Sequence, residues 1–175
     1  MPIIRCTKKL QREMGIKPSE LAADEPGGSP LGSWHANLVF IERRKCVLFV
    51  NDRTLFNFIA PDVRRAEIRD LAQLFLSGLA CALHSERLPK PVVDQILAES
   101  AQVTVGGQTS RSVLGSVNDL AFHYKVHVVE AGGVHSAEVP NIIRRLNRMP
   151  MGALKYGFPI EELQSLYGIP RSRDR

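Results

Sequence analysis

Aromatic side chains are scarce in this chain, 6% of 175 residues with a single Trp, so aliphatic groups must supply most of any core. Cysteine is scarce too. Cys6, Cys46 and Cys81 are too few and too widely spaced for a disulfide framework or a CxxC metal knuckle; they read as buried free thiols, and no structural metal is expected. No stretch approaches the ~18 uninterrupted apolar residues of a membrane span, and the opening Met1-Pro2-Ile3-Ile4-Arg5 lacks the long apolar core of a leader. A reducing cytoplasm is the expected setting. The chain also lacks a GxxxxGK(S/T) phosphate loop, a GxSxG elbow, an HExxH pair and a strand-linked GxGxxG. The R/Q-x-x-G-x-G/A pyrophosphate loop of acetyltransferases follows no predicted strand, and Arg111 and Gly115 stand one residue too far apart for it.

Hydrophobic content of 44% and charged content of 23% are those of a folded protein, and the length suits one domain over residues 1–175. Two stretches stand apart. Residues 17–32 carry Pro18, Asp24, Glu25, Pro26, Gly27, Gly28, Ser29 and Pro30, the chemistry of a flexible loop. Residues 170–175 form a basic tail expected to fray. The net charge is +5 and the pI about 9.4, with 16 Arg against 7 Lys. Arginine favours bidentate contact with carboxylates and phosphates, and the C-terminal stretch from Val139 holds much of the surplus.

Periodicity predicts an α+β fold, a small antiparallel or mixed sheet packed against several helices. Pro2–Cys6 reads as a strand, and Thr7 as the N-cap of a helix stopped by Gly15. Ser33–Glu42 alternates, with Trp34, Ala36, Leu38 and Phe40 on one face; Cys46–Val50 is apolar throughout, and Arg43-Arg44-Lys45 would join the two as a hairpin. Leu55–Ile59 suggests a further short strand. The strongest helical stripe, Ile68, Leu71, Ala72, Phe75, Leu79, Ala82 and Leu83, predicts one helix capped by Asp62 and running to Ser85, packed on the sheet. A helix led by Pro89 and Pro91 and a strand over Gln102–Val105 come next. Helices over Val113–Val128, Ser136–Met149 and Ile160–Tyr167 complete the reading.

Two clusters carry candidate chemistry. On a helix, Arg111, Gly115, Asn118 and Phe122 share one ridge, and Ser112, Ser116, Asp119 and His123 the next. Lining a cleft, Arg111 would clamp an anion, Asn118 would hydrogen-bond it, and Asp119 or His123 would transfer a proton; in a purely structural role the same residues would cap and pack the helix. Asp119, His123 and His127 also repeat at four-residue steps, an incomplete ligand set by itself. The second cluster is Arg144, Arg145 and Arg148, with Asn141, on the polar face opposite Val139, Ile142, Ile143 and Leu146. Lys8, Lys9, Arg12 and the hairpin's Arg43-Arg44-Lys45 would extend this patch if folding brings them near.

Four segments, Ile3-Ile4-Arg5-Cys6-Thr7-Lys8-Lys9-Leu10, Trp34-His35-Ala36-Asn37-Leu38, the run from Cys46 to Leu55, and Gln108 to Asp119 with its RSVLGS core, resemble an uncharacterised bacterial family of unknown function. The resemblance is clearest from Pro2 to Val128, and the family usually has Asn where Ser110 stands. It implies a small soluble bacterial protein and supplies no activity, cofactor or catalytic residue. Charge then favours a non-enzymatic intracellular binding or regulatory module whose Arg144/Arg145/Arg148 patch engages an anionic partner, nucleic acid or acidic protein. The alternative is a small enzyme acting on an anionic substrate through Arg111, Asn118 and Asp119. The direction in which Arg111 points distinguishes them.

Overall fold

Residues 1–23, 29–107 and 111–171 are described by the computed structural model. The tip of the predicted flexible loop, the three residues before Arg111 and the last four residues of the tail lie outside them. Strand β1 (Ile3–Cys6) leads into helix α1 (Lys8–Met14), which Gly15 ends in the left-handed conformation at φ 74°. Thr7 does not cap α1 with its side chain; its hydroxyl donates instead to Asn37 Oδ1 at 3.1 Å.

The hairpin forms from β2 (Trp34–Ile41) and β3 (Arg44–Asn51). Its turn is Glu42-Arg43, one residue earlier than the sequence suggested, and both residues hold positive φ, 47° and 67°. A two-residue turn needs that backbone to follow the strand twist, and here it is reached without Asn or Gly. Beyond β3 the Asn51 side chain organises the next bend: its oxygen accepts from Arg53 N, Thr54 N and the Thr54 hydroxyl, and its amide donates to Leu31 O and Ser33 O. β4 (Asn57–Ala60) returns along β3.

The single helix expected from Asp62 to Ser85 is two. α2 (Arg65–Arg69) starts where the Glu67 carboxylate accepts from Arg64 N at 2.7 Å, and α3 (Leu71–Ser85) restarts at Asp70, whose carboxylate accepts from Gln73 N at 3.3 Å. Asp62 caps neither; it sits at φ 49° and pairs with Arg44 and His135. α4 (Lys90–Glu99), β5 (Thr104–Gly107), α5 (Arg111–Glu130), α6 (Val139–Leu146) and α7 (Pro159–Leu166) complete the order. α6 is shorter than the predicted 136–149, while α5 is helical throughout and runs past the predicted Val113–Val128 at both ends.

The architecture is α+β, a mixed five-stranded sheet in the order β4-β3-β2-β1-β5. β4, β3 and β2 run antiparallel, whereas β2, β1 and β5 run parallel. Both faces are covered. Ile4, Trp34, Ala36, Phe49 and Phe58 pack with Leu10, Phe75, Leu79 and Ile96 on one side; Val39, Ile41, Leu48, Val50 and Ile59 pack with Val117, Leu120, Tyr124, Ile142 and Leu146 on the other. Double coverage is why Cys46–Val50 reads as an unbroken apolar run rather than an alternation. Leu71, Phe75 and Leu79 are core, as the helical stripe required. Cys6 and Cys46 are buried thiols, but Cys81 is exposed, because it falls off the buried Phe75-Leu79-Ala82-Leu83 stripe of α3. Among the described residues no helix is long and apolar enough to cross a membrane.

Candidate functional site

β1 accompanies β2 only from Trp34 to Ala36, and the last bond on that side runs from Thr7 N to Ala36 O at 3.0 Å. From Asn37 onward β2 therefore has an open margin, with α1 ahead of it and α5 lying over the sheet. A depression of about 260 Å³ follows this margin. Lys9 of α1, Asn37 and Phe40 of β2, and Asn118, Phe122 and Lys125 of α5 line it, above a floor of Leu38, Val39 and Ala121. Phe40 and Phe122 are 44% and 64% exposed, unusual for side chains of that size. Alternation assigned Phe40 to the Trp34 face; it lies beyond the helices that cover that face, so it stays in solvent. Both lysines are exposed, and no carboxylate lines the depression.

Of the predicted ridge, only Asn118 and Phe122 reach this groove. Arg111 and Asp119 are exposed on α5, His123 is half-buried, and none of these three lines it. Among the described residues Arg111 makes no buried ion pair, and it does not share the groove with Asp119. His123 and His127 stack with ring centres 6.0 Å apart, and His127 faces Glu130 at 3.5 Å. Among the described residues no three His, Cys, Asp or Glu side chains gather as a metal site.

The arginines on α6 and just after it are not a free patch. Glu86, at the C-terminus of α3, has a side chain with no exposed surface, and Arg148 grips it bidentately at 3.1 and 2.6 Å while Arg144 Nε lies 3.9 Å away. A buried carboxylate requires such partners, so two of the three predicted binding arginines are committed to joining α3 and α6; Arg145 remains exposed.

One polar constellation escaped the sequence reading. Arg5 and His35 are neighbours across β1 and β2, and the bend built by Asn51 brings Asp52 to them: His35 Nδ1 meets Asp52 Oδ1 at 2.5 Å and Arg5 Nε lies 3.7 Å from Asp52 Oδ2. His35 is 1% exposed and its Nε2 has no partner among the described atoms. Three of the four segments that carried the family resemblance meet here. The shared bend and register hold the three side chains together, and no cavity among those described opens onto His35.

The chain belongs to the family described as a domain of unknown function (DUF6933), whose model matches residues 3–162. No curated protein and no solved structure matches the chain.

Proposed function

We propose that this member of the family is a binding module whose anionic partner, nucleic acid or acidic protein, seats in the groove between β2, α1 and α5. The observation that carries this reading is the joint lining of one groove by Lys9, Lys125, Asn37 and Asn118 with two exposed phenylalanines. Lysines attract and orient an anion, asparagine amides donate to it, and exposed aromatic rings give the partner an apolar surface to cover. The predicted polarity of α5 is kept through Asn118, while the predicted cationic centre moves from α6 to Lys9 and Lys125. Arg144 and Arg148 are held by Glu86, and exposed Arg145 is a secondary contact in this reading. A cytoplasmic, bacterial setting without a cofactor accords with it.

Fluorescence anisotropy with labelled oligoglutamate and oligothymidylate tests the proposal. At low salt at least one probe should bind, and binding should weaken as salt screens the lysines. The double variant Lys9→Gln, Lys125→Gln should lose about tenfold in affinity, while Arg145→Gln changes little. Equal affinity of wild type and double variant for every probe, or no binding at low salt, would remove the groove as the site.

A further inference from the structure

At three other points along its margin the sheet is given a partner by the chain itself. On β5 the Ala22 amide donates to Val105 O at 2.8 Å and bridges Gly106. On β4 the Asn147 carboxamide imitates a strand, accepting from Asn57 N at 2.9 Å and donating to Asn57 O at 2.7 Å, and the chain then leaves through Pro61, which has no N–H. Where β3 outruns β4, Val63 N donates to Lys45 O at 2.8 Å. An unpaired strand edge invites another strand, so closing it is the usual solution.

The upper half of β2, like Ile59 on β4, receives no such backbone partner among the described residues. Ala36 turns its carbonyl toward β1 and receives Thr7. Backbone groups of alternate residues point the same way, so Leu38 and Phe40 aim their N–H and C=O into the groove, where no described backbone group takes them up. The register supports this: Ile41 and Arg44 close the two-residue turn as a hydrogen-bonded pair, which leaves Leu38 opposite Val47 and Phe40 opposite Lys45 in the non-bonded positions.

We infer that the groove takes an extended, acidic segment of another polypeptide, which adds to β2 alongside Asn37–Ile41 as a further strand; this rests on the reading of the groove as the site of an anionic partner. The backbone of Leu38 and Phe40 offers the donor and acceptor spacing of a strand ladder, which a peptide backbone matches and a nucleic acid does not. Lys9 and Lys125 stand over the groove and require acidic side chains on the incoming strand. Phe40 and Phe122 provide apolar surface, so the segment alternates acidic with apolar residues. A second copy of this chain is the poorer occupant, because pairing through β2 would bring two sets of Lys9 and Lys125 together at an interface, where like charges repel.

The test uses a fluorescent peptide alternating glutamate and valine, the same peptide N-methylated at every amide, and oligothymidylate. The unmodified peptide should bind the full chain and slow hydrogen exchange at the Leu38 and Phe40 amides. N-methylation keeps every charge but removes the donors and crowds the edge, so affinity should fall about tenfold or more. Phe122→Ala should weaken the peptide with an unchanged denaturation midpoint. Equal binding of both peptides would overturn strand addition while leaving an anionic site. So would oligothymidylate binding that depends on Lys9 and Lys125 while neither peptide binds. Protection of the Leu38 and Phe40 amides by concentration-dependent dimers without peptide would assign the edge to a second copy. Failure of every probe would remove both readings.

Discussion

The residues that hold this molecule together most specifically are amides and one carboxylate rather than the large apolar groups alone. Asn147 bonds both backbone groups of Asn57 and also Ile143 O, while Tyr124 donates its hydroxyl to Asn57 Oδ1 at 2.7 Å, so β4, α5 and α6 share one fully buried network. Removing one member leaves several buried groups unpaired, each costing about 1–3 kcal/mol. Asn147→Ala should therefore lower stability by roughly 3 kcal/mol or more, and a urea midpoint close to wild type would show that water replaces the amide. Arg148→Gln belongs to the same scale: it strips the buried Glu86 of its bidentate partner and should cost about 2 kcal/mol, less than a fully buried pair because Arg148 is itself partly exposed, whereas exposed Arg145→Gln should be nearly neutral. Thermal melts of the two variants side by side decide it, and equal melts would return Arg148 to the solvated face that sequence alone suggested. None of these roles was legible in the chain, since Asn57, Asn147 and Glu86 act across 62 or 90 residues of sequence separation and no local pattern announces a partner.

At the scale of elements, sequence reading succeeds where periodicity is long and fails at junctions. The α3 stripe was read correctly because Phe75 and its neighbours repeat over several turns; Phe75 is fully buried and meets the rings of Trp34 and Phe49 at 5.1 and 5.4 Å. Phe75→Ala should cost about 3–5 kcal/mol, and an unmoved denaturation midpoint would displace α3 from the core. The α2–α3 break was missed because Asp70 looks like any polar position on a helix until its carboxylate is seen accepting from Gln73 N. The hairpin turn was misplaced by one residue for a related reason: Glu42-Arg43 has no turn signature, and strand pairing imposes its positive φ. Arg43 at φ 67° bears a strain that glycine does not. Arg43→Gly should thus raise stability by about 0.5–1 kcal/mol, an unusual direction for a substitution to glycine, and a lower melting temperature would mean that the arginine side chain makes compensating contacts.

For the whole molecule, the α+β class follows from mixed period-two and helical patterns, whereas the covering of both sheet faces emerges only in the structure. So does the groove, because an open edge arises from how far β1 accompanies β2, a property of register rather than of either strand. The burial that registers both sheet faces also sets the response of the fold to alkali. Burial pushes the Cys6 thiol from its ordinary 9.0 up to about 12. Burial, then the nearby Glu86 charge, raises the Tyr124 phenol well above its usual value, and burial followed by the hydrogen bond and charge of Glu99 raises Tyr167. A raised pKa means that the folded chain holds its proton where the unfolded chain has lost it, so the associated stability is complete below the unfolded value and disappears as pH climbs toward the folded one. Each such group makes unfolding easier by about 1.4 kcal/mol per pH unit across its window. Cys6 opens its window near pH 9, and the two tyrosines open theirs near pH 10. Urea midpoints should therefore be insensitive to these three groups from pH 7 to about pH 8.5 and fall increasingly above it, with Cys6→Ala removing part of the slope between pH 9 and 12 and Tyr124→Phe part of the slope above pH 10. Slopes identical to wild type in both variants would show that the alkaline response originates at neither Cys6 nor Tyr124.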